Sequence, residues 1–182
     1  MRPPVDGAAF IPTIETARLR LRPYRLDDFD AYAAMWADPA VVRYVGGSPV
    51  PREAAWLRFL RQIGLWYHLG FGFFALEHRE SGEFAGEAGF HDLRRAITPS
   101  LEGTMETGWA LIPAMRGKGL AEEAVRAAID WAVHNGTGDR LTCVIHVDNA
   151  PSLRLARTLG YVEIARTTYS GNPVVVMDRP RA

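Results

Sequence analysis

The chain of 182 residues has a single lysine, Lys118, and a single cysteine, Cys143. One cysteine excludes an intrachain disulfide, which fits a reducing compartment, and the expected location is cytoplasmic. Cys143 sits in the apolar, β-rich stretch Leu141–Val147 and reads as a core residue rather than a nucleophile. One lysine means that a Schiff-base mechanism would have to run through Lys118. Net charge is also lacking. The 21 basic and 21 acidic residues balance, so no basic surface for nucleic acid is indicated. No apolar run reaches the roughly 18 residues of a membrane span. The five histidines (68, 78, 91, 134 and 146) fall at no metal-ligand spacing, so no metal is expected. Repeats and low-complexity tracts are absent as well. Residues 1–13 lack the apolar stretch of a signal peptide and read as a loose arm before one domain, 14–182.

What is present is core material: 48% of residues are hydrophobic. Leu19-Arg-Leu-Arg22 alternates at strand period. Asp27 is placed to cap a helix carrying Phe29, Ala33 and Trp36. Val41–Pro51 reads as a loop. Pro51 then opens a second helix, with Trp56, Phe59, Leu60 and Ile63 as its apolar stripe. Phe71–Glu77 and Phe84–Asp92 form an expected hairpin around Glu80-Ser-Gly82. Thr104–Ile112 reads as a strand, Gly119–Val133 as a helix stopped by Asn135-Gly136, and Leu141–Val147 as a strand. Pro151–Leu159 is a short helix, and Tyr161–Thr168 with Val174–Met177 a last strand pair. The order β-α-α-β-β-β-α-β-α-β-β predicts a mixed-sheet α/β domain of about seven strands and about four helices.

The chemistry concentrates where the strand ending at Ile112 passes through Arg116-Gly-Lys-Gly119-Leu-Ala121 into a helix. The first N–H groups of a helix lack intrahelical partners, and the helix dipole adds roughly half a positive charge there. Gly117 and Gly119 clear side chains from an approaching phosphate. Taken alone, two glycines also fit a tight turn with no ligand. Neither the Walker loop nor the G-x-G-x-x-G pattern is satisfied. Asn149-Ala-Pro-Ser152 opens a second helix after the next strand, so in a parallel pair both helix starts would flank one crevice. Asn149 serves there as an N-cap, with or without a further role.

These segments resemble the GNAT superfamily of acyl-CoA-dependent N-acetyltransferases, and most closely its RimJ/RimL-like, ribosomal-protein N-terminal acetyltransferase branch. Arg116-Gly-Lys-Gly119-Leu-Ala121 is similar to the family's pyrophosphate loop, and Glu106-Thr-Gly-Trp-Ala-Leu-Ile-Pro113 to the strand before it. Asn149-Ala-Pro-Ser152 with Leu159-Gly-Tyr161, and Thr16-Ala-Arg-Leu-Arg-Leu-Arg22, resemble the branch's second signature and opening strand. The resemblance spans about Ile14–Met177 and implies a sheet splayed at its centre. It also implies acetyl-CoA as cosubstrate, with its pyrophosphate on the backbone of Arg116, Gly117, Lys118, Gly119, Leu120 and Ala121. The pantetheine arm would lie against Trp109, Leu111 and Ile112, near Asn149 and Ser152.

The implied reaction is transfer of an acetyl group to a primary amine by direct attack in a ternary complex. The acceptor is a peptide N-terminus or a small-molecule amine, and the enzyme a monomer or homodimer. Glu106 matches a position from which a glutamate can serve as base; it also fits a solvent-facing strand carboxylate. The tyrosine that many members carry seven residues after the asparagine is replaced by Ala156. The acid role is left to Ser152, to Tyr161 (whose place after Gly160 also suits packing) or to solvent. His91 fits either the surface or the acceptor pocket, and Val41–Gly70, with Tyr44, Trp66 and Tyr67, is expected to shape that pocket. Two other classes fit parts of the pattern: a non-catalytic acyl-CoA sensor and an unrelated α/β nucleotide-binding domain.

Overall fold

The computed structural model describes residues 11–135 and 140–180. Most of the expected N-terminal arm, and Gly136, lie outside the described residues. The strands are β1 (Ile14–Glu15), β2 (Leu19–Arg22), β3 (Phe73–His78), β4 (Phe84–His91), β5 (Met105–Leu111), β6 (Leu141–His146), β7 (Val162–Tyr169) and β8 (Asn172–Arg179). The helices are α1 (Phe29–Ala37), α2 (Pro39–Val42), α3 (Arg52–Leu69), α4 (Leu120–His134) and α5 (Ala150–Thr158). One mixed sheet runs in the order β1-β2-β3-β4-β5-β6-β8-β7.

The expected seven strands and four helices are all there. The additions, β1 and α2, are too short to show a period. α2 is a single turn that begins before the expected loop and ends in its first residues, formed because Asp38 accepts a hydrogen bond from the Ala40 N–H at 2.8 Å and Pro39 fixes the first helical φ.

The parallel pair β5–β6 positions the site. It is paired only at Met105–Leu141 and Glu106–Thr142. Beyond Glu106 the two strands part, while β5 keeps β4 and β6 keeps β8 as partners. The β6-facing edge of β5 from Thr107 onward therefore has no strand beside it.

Apolar residues cover both faces of the sheet. On one face α4 and α5 pack Leu120, Ala124, Ala128, Leu153 and Ala156 against Phe74, Leu76, Phe90 and Leu141. On the other, α1 and α3 pack Tyr32, Trp36 and Phe59 over Ala75 and Phe84. Successive β3 residues thus serve opposite layers.

Two local expectations are corrected. Asp27 caps nothing. Its neighbour Asp28 precedes α1, and its carboxylate accepts from Arg22 at 2.7 and 2.8 Å instead of capping the helix. The stripe read for α3 is also out of phase. Ala55, Phe59, Gln62 and Trp66 are the buried residues, while Leu60 and Ile63 are 46% and 44% exposed.

Candidate active site

Gly117 (φ 73°) and Gly119 (φ 76°) adopt left-handed backbone that an L side chain disfavours, and they turn the chain from β5 into α4. A Cβ on Gly117 would project into open space, so the glycine leaves an uncovered cradle. The first helical bond runs from the Glu123 N–H to the Gly119 carbonyl at 3.2 Å. Among the described residues, the N–H groups from Gly117 to Glu122 donate to no protein acceptor. Arg18 braces this turn, donating to the Lys118 carbonyl at 2.7 Å and pairing with Glu123 at 2.7 Å. Such a row of free donors at a fifteen-residue helix start suits a pyrophosphate.

The cradle opens into a cavity of about 590 Å³ lined by Trp109, Leu111, Arg116, Gly117, Gly119, Leu120, Ala121, Asn149 and Ser152, with Arg154 nearby. The structure therefore gathers most of the expected cofactor-binding residues on one wall. Ile112 is not on that wall: its N–H turns to the Ala85 carbonyl at 3.1 Å. Lys118 is exposed and also off the wall. The Arg116 side chain points inward to protein carbonyls, donating to Leu111 and Ala40 at 3.0 Å each, and so ties the turn to α2. Asn149 caps α5 by accepting from the Ser152 N–H at 3.3 Å.

A second cavity of about 420 Å³ lies between α3, β4, β5 and the turn after α2. The two cavities share Tyr44, Val45, Trp109, Asn149 and Ser152, so they meet at the mouth of the splay. The cross-strand pairs Glu87–Ala110, Gly89–Gly108 and His91–Glu106 lie along one face of the sheet. Glu87, Gly108, His91 and Glu106 of these pairs form the floor of this second cavity, whereas Ala110 lines the first. A Cβ on Gly108 would meet the tip of the buried Phe73 ring at 2.7 Å, so a side chain there would push that ring aside.

Glu106 is neither solvent-facing nor free. It is 4% exposed, Arg95 grips it with two hydrogen bonds of 2.7 and 2.8 Å, and His91 Nε2 lies 3.0 Å away, off the line of a hydrogen bond. Burial would raise its pKa, but His91 and Arg95 outweigh burial and hold it below the ordinary carboxylate value. Tyr161 is buried and lines neither cavity. Its hydroxyl shares a 2.6 Å hydrogen bond with Thr107, and burial pushes its pKa up. Cys143 is likewise buried off both cavities, with its thiol pKa raised by burial. Of the aromatics expected to shape the acceptor pocket, Tyr44 lines the second cavity. Trp66 instead bonds the Phe73 carbonyl inside the core, and Tyr67 is 74% exposed.

One carboxylate escaped the sequence reading. Glu87 is 3% exposed, accepts from the Tyr24 hydroxyl at 2.5 Å and lines the second cavity. Burial raises its pKa, and Arg58 and Tyr24 offset this only in part. The signal was a lone charge in the otherwise small and apolar strand Phe84–His91. Arg58, Arg61 and Gln62 of α3 carry no such signal, because the expected stripe overlaps the buried face only at Phe59 and the half-buried Trp56.

Residues 18–162 match the family described as acetyltransferase (GNAT) domain. The uncharacterised N-acetyltransferase p20 of Bacillus licheniformis is 28% identical over 152 residues, 82% of each chain. A Bordetella pertussis structure provisionally described as a GnaT-family acetyltransferase superposes with a TM-score of 0.82 at 32% identity, covering 93% of this chain and 99% of that one. The ribosomal L7/L12 α-N-protein acetyltransferase RimL, in complex with coenzyme A, shares the fold: TM-score 0.75 at 18% identity, over 92% of this chain and 97% of RimL.

Proposed function

We propose that this chain, which belongs to the GNAT acetyltransferase family, moves an acetyl group from acetyl-CoA to a primary amine by direct attack in a ternary complex. One observation carries the reading. A cavity that starts at the free N–H groups of α4 meets a cavity floored by titratable side chains, and their junction is Trp109, Asn149 and Ser152. Acetyl-CoA supplies an activated thioester. The N–H groups of Gly117–Ala121 hold its pyrophosphate, and the unpaired edge of β5 from Thr107 to Leu111 receives the pantetheine arm. Bringing both reactants to one junction is the main contribution to rate. Fold likeness to RimL supports a place near the RimJ/RimL-like branch.

In the transfer, the amine nitrogen bonds to the acetyl carbon and the C–S bond breaks. The amine loses a proton and the leaving sulfur gains one. Backbone N–H groups near Trp109–Leu111 stabilise the oxyanion. Ser152, on both cavity walls, is placed to protonate the sulfur. Glu106, the base that the family resemblance implies, lies 3.0 Å from His91 Nε2 on the wall of the second cavity. A second reading of the base is favoured by a specific observation: Glu87 has no ion-pair partner among the described residues and burial makes it the stronger base. No covalent enzyme intermediate is needed, and Cys143 is out of reach of either cavity.

The test is thermal unfolding with acetyl-CoA, CoA, ATP and NAD. Acetyl-CoA and CoA are expected to stabilise by about 2.7 kcal/mol at a hundredfold excess over Kd. Equal or greater stabilisation by ATP or NAD would overturn the assignment.

A further inference from the structure

Apart from the Arg95–Glu106 pair, the wall of the second cavity has an excess of positive charge. Arg43, Arg58, Arg61 and Arg95 face it, against Glu87 and Glu106. Arg95 is spent on Glu106. Among the described residues, Arg43, Arg58 and Arg61 have no hydrogen bond or ion pair, although most of the chain's other arginines are bound. The chain as a whole is neutral, so this excess is local.

Arg43 and Arg61 are exposed, whereas Arg58 is set in a built wall. The Arg58 guanidinium lies 3.7 Å from the centre of the Trp36 ring, which fixes its plane. Arg58 Nε and Trp36 Nε1 are buried donors without a partner, and both residues line the cavity. Buried donors of this kind are seldom left unpaired in folded proteins. Arg61, one turn on, adds a full guanidinium at the same wall. Gln62 Oε1 is an unpaired acceptor there, and the Tyr32 hydroxyl and His91 Nε2, each able to donate or accept, are likewise without a hydrogen bond among the described residues. Donors therefore dominate, and the group that satisfies them must be rich in acceptors and negatively charged. A planar carboxylate matches an arginine fork.

We infer that the acceptor is a primary amine with a carboxylate close to it, the carboxylate held by Arg58 and Arg61 and the amine directed to the junction at Trp109 and Ser152. The inference rests on the acetyl-transfer reading and names the substrate class of that same site. It has two consequences. Polycationic amines are repelled by the wall. Nearby guanidinium groups also favour the neutral form of the bound amine, which is the form that attacks. The carboxylate can belong to a free amino acid or to an acidic side chain beside a peptide N-terminus.

The experiment measures thiol release from acetyl-CoA by the full chain. Acceptors are glycine, β-alanine and glutamate against their amides, peptide amides with glutamate against glutamine at the second residue, and spermidine. The acids are expected to exceed their amides at least tenfold in kcat/KM. The free acids and the peptides separate the two sources of the carboxylate. Arg61→Gln, at an exposed position, and Arg58→Gln should each bring that ratio to within about threefold of unity by raising KM, whereas Arg58→Lys should keep part of it. Stabilisation by acetyl-CoA should be the same in all variants. Amides or spermidine used as well as the acids, or a preference that survives both glutamine variants, would overturn the inference. So would a protein that acetyl-CoA stabilises but that uses none of the carboxylated amines. Failure of acetyl-CoA to stabilise the wild type would instead remove the transferase reading beneath it.

Discussion

Glu87 and Glu106 stand on one floor of one cavity, yet their surroundings give them opposite proton affinities. Arg95 and His91 keep Glu106 ionised, while burial with little compensation raises the pKa of Glu87. The stability consequences have opposite signs. Glu106, with its folded pKa depressed, contributes stability that is present above the ordinary value of 4.5 and is lost as pH falls through the folded value. Glu87, with its folded pKa raised, contributes stability that is present below 4.5 and is lost as pH rises through the folded value. At pH 7, Glu87→Gln should therefore raise the unfolding midpoint, whereas Glu106→Gln should cost about 3 kcal/mol by leaving Arg95 partly buried without its partner. The pH–rate profiles separate the two in activity. The variant that removes the base should lose on the order of a hundredfold at neutral pH and recover as solvent deprotonates the amine. The other should show a deficit of similar size at every pH.

At the scale of elements, the work of holding acetyl-CoA in the proposed transfer is divided between the turn into α4 and the splay of β5 from β6. The turn supplies N–H donors for an anion, and the splay supplies an open strand edge. Both depend on backbone, so only a substitution that changes backbone shape or fills the cradle will disturb them. Gly119→Val is such a change. Left-handed backbone at a non-glycine residue costs about 1–2 kcal/mol, and the new side chain would also stand at the start of the helix. Calorimetric titration should show acetyl-CoA affinity falling at least tenfold while the circular dichroism of the folded chain is retained. Unchanged affinity in a folded variant would detach the pyrophosphate from this turn. α3 shows a different division. Its Phe59 and Trp66 serve the core, while Arg58, Arg61 and Gln62 face the acceptor cavity.

At the scale of the whole molecule, one buried ionic cluster joins the opening strand to the rest of the sheet. Arg22 of β2 pairs with Asp28 before α1 and with Glu77 of β3, each at 2.7 Å, and all three are less than 8% exposed. Arg22→Met would leave Asp28 buried without its cation and Glu77 with only Arg20 and Arg25, and should cost about 3 kcal/mol, read from urea unfolding. The burial of Glu77 would raise its pKa, but Arg22 and its neighbours Arg25 and Arg20 lower it below 4.5. With Glu106 and Glu123 lowered as well, the unfolding midpoint of the wild type should hold above about pH 5 and fall steadily as pH drops below 4.5. A midpoint that stays level down to pH 3 would show that these pairs contribute little.

The sequence by itself determined the features that depend on neighbours along the chain. The strand–turn–helix at Ile112–Ala121 is local: left-handed glycines turn the chain into a helix whose first N–H groups have no intrahelical partner. The hairpin at Glu80-Ser-Gly82, the cap at Asn149 and the order of the major elements were legible for the same reason. Tertiary structure decided what depends on which face meets which. α3 has apolar residues around much of its circumference, so periodicity could not select its buried side. The sheet did, and it turned Leu60 and Ile63 out and Arg58 and Gln62 toward the cavity. Glu106 became an ion-paired anion only because cross-strand register put His91 opposite it and the following loop folded Arg95 back onto it. Glu87 acquired its raised pKa from layers contributed by segments far apart in the chain. Proton affinity and pocket charge are sums over surrounding space, which a linear pattern of residues does not contain.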